Sequence, residues 1–292
     1  MLAKSLSPLF DLEPSKSKPE AQNLEVPNLQ MQNPELQNLE VLRARALEIH
    51  RILCGVYGCP IAFFHTNDPM SNLVGNLLSH RTKNADSARA FAALTERFPT
   101  WEAIRDAPTL EVQDAIRAAT WPEQKAPRIQ AVLREIAARA GGFNLDFLGE
   151  MPVREARDWL EAISGIGPKT SAATLLFSRL RMPALPVDSH HHRVALRLGL
   201  IPAGTDVGPS HALLERLMPP DWDAQQVFDH HEILMLHGQR CCFFASPACS
   251  RCAVLDRCPT GPARLLGENV DPARVPVRKA EKRGKKKEEQ QT

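Results

Sequence analysis

Cys242-Phe243-Phe244-Ala245-Ser246-Pro247-Ala248-Cys249-Ser250-Arg251-Cys252-Ala253-Val254-Leu255-Asp256-Arg257-Cys258 holds four cysteines separated by gaps of six, two and five residues. Four thiolates in so short a stretch make a soft cage suited to an iron–sulfur cluster or to zinc. A structural zinc site usually pairs two short Cys-x-x-Cys knuckles. Only Cys249 and Cys252 form one here, which favours a four-iron cluster and leaves zinc open. A disulfide framework needs an oxidising compartment, and nothing read from the chain routes it to one. The start, Met1-Leu2-Ala3-Lys4, lacks the apolar run of a secretory signal and the Arg-rich bias of a transit peptide. The expectation is a cytoplasmic protein with reduced thiols, in which Cys54 and Cys59 are small core or surface thiols; Cys241 falls outside the six, two, five spacing.

Outward from the cysteines, the 292 residues have room for two ordinary domains. No apolar run reaches the roughly 18 residues that a membrane span needs. The net charge of +2 does not announce a nucleic-acid binder, so any such contact must come from local patches and backbone amides. Residues 1–38 are rich in Gln, Asn, Pro and Glu and are expected to be disordered. The tail after Leu266 turns basic at Arg278, Lys279, Lys282, Arg283, Lys285, Lys286 and Lys287, with Glu288 and Glu289 diluting the run. It reads as a solvated tail, with a nonspecific phosphate tether as the other possibility.

Between the tails the periodicity is helical. Met70, Leu73, Val74, Leu77 and Leu78 form one apolar stripe, entered through Asp68 and Pro69 as cap and first-turn proline. Ile129, Val132, Leu133, Ile136 and Ala140 form another, stopped by Gly141-Gly142. Ala156, Trp159, Leu160 and Ile163 make a third; Leu213, Leu214 and Leu217 mark a shorter one; Phe228, His231, Leu234 and Met235 lead into the cysteines. No period-two run is sustained. The core reads as all-α, with about ten helices.

Ser164-Gly165-Ile166-Gly167-Pro168-Lys169-Thr170 joins two of those helices. Paired glycines permit a tight turn and let a phosphate approach the backbone amides. Lys169 opens the second helix, where the N-terminal dipole disfavours an ammonium; a nucleophilic lysine needs that help, because only the neutral amine attacks carbon. Simple phosphate contact explains Lys169 equally well from the hairpin alone. Nineteen residues on, Pro186-Val187-Asp188-Ser189-His190 offers Asp188 as a helix cap or, if it faces Lys169 across a cleft, as a catalytic carboxylate. The run His190-His191-His192 resembles metal bait, but three consecutive helical residues cannot face one ion.

These elements occur in the order found in one family. The Gly165–Thr170 hairpin, Val187-Asp188-Ser189-His190, Asp229-His230-His231-Glu232 with Leu236-His237-Gly238, and the four cysteines together resemble endonuclease III, the iron–sulfur DNA glycosylase/AP lyase of the helix-hairpin-helix superfamily. The resemblance covers roughly residues 40–262. It implies two helical domains flanking a DNA-binding cleft: a six-helix domain at 67–182 carrying the hairpin, and a cluster domain made of 39–66 plus 183–264, with 265–292 as a basic tail. It implies a [4Fe-4S] cluster on Cys242, Cys249, Cys252 and Cys258. Lys169 would form a Schiff base with the sugar of a flipped, damaged nucleotide, Asp188 would assist, and β-elimination would cut 3′ to the lesion. Gly165, Ile166, Gly167, Thr170 and His190 would touch DNA. The implied partner is double-stranded DNA with a damaged or abasic site, bound by a nucleoid-associated monomer, with oxidised pyrimidines as the substrate class; the alternatives are a relative with changed base selectivity or mainly AP lyase activity, and a DNA-binding iron–sulfur protein without turnover.

Three segments depart from the family. Leu77-Leu78-Ser79-His80-Arg81-Thr82-Lys83 has Arg81 where the family puts a glutamine in the gap left by the flipped base; arginine only donates, so a preference for an acceptor-rich opposite guanine is expected. Thr120-Trp121-Pro122-Glu123 has Trp121 at the position of a wedge leucine, to stack on a base or else to fill the core. The loop between Cys242 and Cys249 lacks the family's basic residues, leaving Arg251 as the nearby cation and implying weak binding with a shallow salt dependence.

Overall fold

The computed structural model describes residues 39–63, 67–268 and 270–274. The stretch 1–38 and the basic run from Arg278 lie outside the described residues. Among those described there is no strand, and no helix is long and apolar enough to cross a membrane. The chain is all-α. Its helices are α1 (Leu39–Tyr57), α2 (Pro69–Ser79), α3 (Asn84–Arg97), α4 (Trp101–Asp106), α5 (Thr109–Ala115), α6 (Pro122–Ala140), α7 (Val153–Glu161), α8 (Pro168–Phe177), α9 (Ser189–Arg197), α10 (Val207–Glu215), α11 (Ala224–Arg240) and α12 (Thr260–Leu265). The two beyond the expected ten include six-residue pieces, α4 and α12, too short to display a period.

Local chemistry sets the helix ends as read. Asp68 caps α2 by accepting from Ser71 N, with Pro69 in the first turn. α6 stops where Gly141 adopts φ 70°. The buried side chains form two clusters. One gathers Met70, Leu73, Leu94, Ile129, Leu133, Leu160 and Leu175 from α2 to α8. The other gathers Ile49, Leu53, Leu176, Val194, Phe228 and Leu234 from α1, α8, α9 and α11. α8 serves both, with Leu175 in one and its neighbour Leu176 in the other. Its residues from Ser171 to Leu176 are all buried, as befits a helix wedged between two cores. The first turn of α8, which carries Lys169, therefore lies at the seam.

Cys54 and Cys59 correct the expectation of free thiols: they form a disulfide. After α1 the chain doubles back through Gly58 (φ 82°), Gly58 N and Cys59 N both reach Cys54 O, and the Cα atoms come to 4.9 Å, within disulfide range. The segment beyond is tied to α11, because Ile61 N donates to Asp229 Oδ1 (2.8 Å) and Gln225 Nε2 donates to Ile61 O (2.9 Å). Past residue 265, where composition suggested a loose tail, Asp271 is buried against Arg197 (2.8 Å) and Arg264 (3.2 Å).

Candidate active site and nucleic-acid interface

The α7–α8 turn is built as its glycines suggest. Gly165 adopts φ 96°, and the Arg128 side chain passes 3.3 Å from where a Cβ would stand. Gly167 caps α8 without any side-chain hydrogen bond, and a Cβ there would meet open space. In the first turn of α8, Pro168 has no N–H, and Thr170 N and Ser171 N donate back to Gly167 O (2.9 and 3.0 Å). Ile166 differs: its side chain is buried and its amide donates to Ile163 O (3.1 Å), so neither faces out. Lys169 and Thr170 are half-buried.

Asp188 is the N-cap of α9, its Oδ1 accepting from His191 N at 2.7 Å. The capping use is thus realised, and it occupies one carboxylate oxygen. Lys169 and Asp188 act with opposite sign on one imidazole: burial lowers His231, Asp188 opposes that and Lys169 adds to it. His231 Nδ1 lies 2.7 Å from Pro186 O, fixing the ring beneath the α9 entrance. Beside it on α11, burial and then the charges of Asp188 and Asp229 push Glu232 up to about 7. His190 is half-buried, and Arg193 Nη2 lies 3.1 Å from its Nδ1. The histidine run is not a metal cage: His191 is buried with both ring nitrogens unpartnered, and His192 Nε2 faces Thr205 O. α9 packs closely on α11 because Gly238 has no side chain; a Cβ there would stand 2.9 Å from His190 Cβ.

The two family departures meet on one wall. Arg81 (φ 53°) and Trp121 (φ 55°) both hold the left-handed conformation, and the Arg81 guanidinium lies 6.0 Å from the Trp121 ring centroid. Trp121 is 43% exposed, which removes the core reading. Between them Lys125 is 6% exposed, donating to Leu78 O (2.6 Å), His80 O (2.9 Å) and Thr82 Oγ1 (2.6 Å). Burial, then Lys169, Lys125, Arg81 and Arg128, hold His80 below the ordinary imidazole value. A chain with net charge +2 thus gathers four cations around one side chain. Sequence reading missed Lys125, Arg128 and Glu232. Lys125 had a signal: it stands four residues before Ile129, in line with the apolar stripe.

Cys242, Cys249, Cys252 and Cys258 line one cavity with Arg197, His237 and Arg264. Arg197 Nη1 is 3.4 Å from Cys242 Sγ, Gly261 N is 3.3 Å from Cys258 Sγ, and His237 Nε2 is 3.6 Å from Cys252 Sγ. N–H groups aimed at sulfur are what thiolate ligands require. As bare thiols the group is held protonated; burial pushes Cys258 up to about 11. A multiply charged centre reverses that balance. The donor set fits a four-iron cluster. The tightest trio is instead His237, Cys241 and Cys252, with ligand atoms within 4.8 Å of one another, so Cys241 stands nearer the site than its spacing suggested. One small ion draws its ligands together, whereas a four-iron core spreads one thiolate to each iron.

Residues 74–220 match the family described as HhH-GPD superfamily base excision DNA repair protein. Endonuclease III of Thermotoga maritima is 30% identical over 202 residues, covering 69% of this chain and 87% of its own. The chain belongs to the HhH-GPD superfamily. Within it the chain is endonuclease III-like. Endonuclease III of Synechocystis is 27% identical over 221 residues, covering 76% of this chain and 94% of its own. An Arabidopsis thaliana relative named for a DNA glycosylase is 30% identical over 196 residues, and the chain spans 65% of that protein's length. A trapped endonuclease III–DNA covalent intermediate shares the fold, with TM-score 0.64 and 22% identity over 79% of this chain and all (100%) of that one. A thermostable thymine-DNA glycosylase has the same fold at TM-score 0.58 and 19% identity, over 79% of this chain and 99% of its own.

Proposed function

We propose that this protein is a base-excision DNA glycosylase with AP lyase activity, acting on oxidised pyrimidines in duplex DNA. The observation that supports the reading is that Lys169, in the first turn of α8, and Asp188, at the N-cap of α9, act with opposite sign on the one imidazole of His231. The lesion nucleotide is flipped into the cleft between the two helical units, 67–182 and 39–66 plus 183–264. The neutral Lys169 Nζ attacks the sugar C1′ and the base leaves with its bonding electrons; the C1′–O4′ ring bond then opens, O4′ taking a proton, and the resulting imine acidifies the adjacent C2′. β-Elimination then breaks the C–O bond 3′ to the lesion. Asp188 takes the proton that Lys169 gives up and offsets positive charge on the sugar. The amides of Gly165 and Gly167, with Thr170, hold phosphate, and Arg128 adds a cation beside them.

Cys242, Cys249, Cys252 and Cys258 would hold a [4Fe-4S] cluster; when bound, such a group supplies a covalent cross-link that fixes the loop against the helices. Arg197 fastens the same loop from α9 through Phe243 O (2.6 Å) and Phe244 O (2.9 Å). A second reading concerns selectivity rather than chemistry. Arg81 over Trp121 replaces a donor–acceptor side chain with donors alone, which favours guanine opposite the lesion. Excision rates against the four opposite bases test this; a flat profile rejects it.

Borohydride trapping tests the chemistry. Purified protein should form a covalent adduct with abasic and thymine-glycol duplexes, and Lys169→Ala should form none while melting at the same temperature. No adduct from the intact protein on either substrate rejects the lyase assignment.

A further inference from the structure

Arg81 and Trp121 lie on different segments, 40 positions apart in the chain. Each is held in a left-handed conformation that non-glycine residues rarely adopt. Such conformations persist only where surrounding contacts fix them, and here one network fixes both. Lys125 extends from α6, whose N-cap is Trp121, and all three of its N–H donors are used. Two go to carbonyls at the end of α2, where the helix dipole favours a cation. The third goes to Thr82 Oγ1, the residue after Arg81. The same Thr82 Oγ1 accepts from Thr120 N at 3.1 Å, the residue before Trp121. One hydroxyl oxygen therefore receives a bond from each side, immediately next to each left-handed residue.

We infer that Lys125 and Thr82 are positioning residues that lock Arg81 and Trp121 into a single wedge, so that the base opposite the lesion is met by a coupled pair. The inference rests on the DNA-contacting reading of this wall. The lock matters because two exposed long side chains would otherwise each lose rotamer freedom on binding. Fixed beforehand, the guanidinium and indole enter the duplex together.

A double-mutant cycle on binding to an abasic-analogue duplex with guanine opposite tests it. Arg81→Ala and Trp121→Ala should each weaken binding roughly tenfold, in line with one lost stacking contact. The double variant should lose about as much as either single one, not the product. In a Thr82→Val background the losses should multiply, whereas Thr82→Ser, which keeps the hydroxyl, should preserve the coupling. Melting curves on every variant separate binding from folding. Lys125→Met serves as the second probe of the lock if Thr82→Val misfolds. If both single variants weaken binding but their losses already multiply in the native background, the lock is wrong and the DNA wall stands. If neither variant changes binding, the wall itself is rejected and the lock with it.

Discussion

The hairpin side and the cysteine side of this molecule are both made of short turns between helices, yet they handle polar groups in opposite ways. Around the hairpin, groups are left outward: Gly167 caps α8 without a side-chain bond, Trp121 is exposed, and Arg81 and Trp121 sit in left-handed backbone. Around the cysteines, groups are drawn inward. The Arg197 side chain, 2% exposed, joins Asp271, Phe243 O, Phe244 O and Cys242 Sγ. Arg193 adds bonds to Gly238 O (2.7 Å) and Cys242 O (3.1 Å). The contrast separates two kinds of packing: one side leaves an indole and strained backbone at the surface, the other ties its loop to buried arginines.

The hardest test of this contrast is to damage the stiff side alone. Asp271→Asn removes one partner of a buried ion pair and leaves Arg197 charged and underpaired, which costs about 3–5 kcal/mol. Chemical denaturation should show that loss, while covalent trapping per folded molecule stays near the native level. If trapping falls in molecules that remain folded, the two sides are not separable.

Titration probes the seam between them. His230 is lowered from 6.5 to about 3, by burial first and then by His50 and His231. A histidine with a depressed folded pKa contributes stability that is complete above pH 6.5 and lost as pH falls toward 3. By pH 5 the loss is about 2 kcal/mol from this group. Glu232 has the opposite sign. Its folded pKa of about 7 exceeds the ordinary 4.5, so it costs nothing below pH 4.5 and destabilises increasingly as pH rises to 7. Glu232→Gln should therefore raise stability at pH 8 by about 1–3 kcal/mol and leave it unchanged at pH 4. Urea melts across pH decide; an unaltered alkaline limb would place Glu232 in contact with water, away from Asp188.

How much of this was readable beforehand depends on range in sequence. The α2 cap at Asp68 and the α6 stop at Gly141 are local chemistry, and each stands as read. Trp121 could not be settled as wedge or core, because exposure depends on what α3 and α6 leave open. The Cys54–Cys59 disulfide was missed because the compartment argument addresses the chain as a whole, whereas the pairing follows from the local turn at Gly58. Arg197 and Asp271 stand 74 positions apart, and Lys125 and Leu78 47 apart. In sequence each looks like an ordinary solvated charge; only packing gives it a partner.

Gly238 sharpens the comparison from its middle, where α9 and α11 carry Asp188 at one end and lead to the cysteines at the other. Gly238→Ala puts a methyl 2.9 Å from His190 Cβ and 3.2 Å from His190 O. Backbone cannot yield as a flexible side chain does, so α9 must shift, costing about 1–3 kcal/mol. Because the shift moves Asp188, trapping rate per folded molecule should fall along with the melting temperature. A stability loss without a rate loss would show that the cap of α9 is fixed independently of its packing.

The smallest effect separates the two sides by their phosphate contacts. On the cysteine side Arg251 already donates to Arg240 O at 2.9 Å, and the Phe243–Ala248 stretch brings no cation. On the hairpin side Arg128 is exposed and passes directly over Gly165. A cation that neutralises one phosphate contributes about one unit to the slope of log affinity against log salt. Arg128→Ala should thus flatten that slope by about one unit on duplex DNA, and Arg251→Ala should leave it as it was. Titrations at several salt concentrations read both. If Arg251→Ala flattens the slope as much as Arg128→Ala, the cysteine loop grips phosphate after all, and the division between a binding side and a bracing side fails where it is most exposed to measurement.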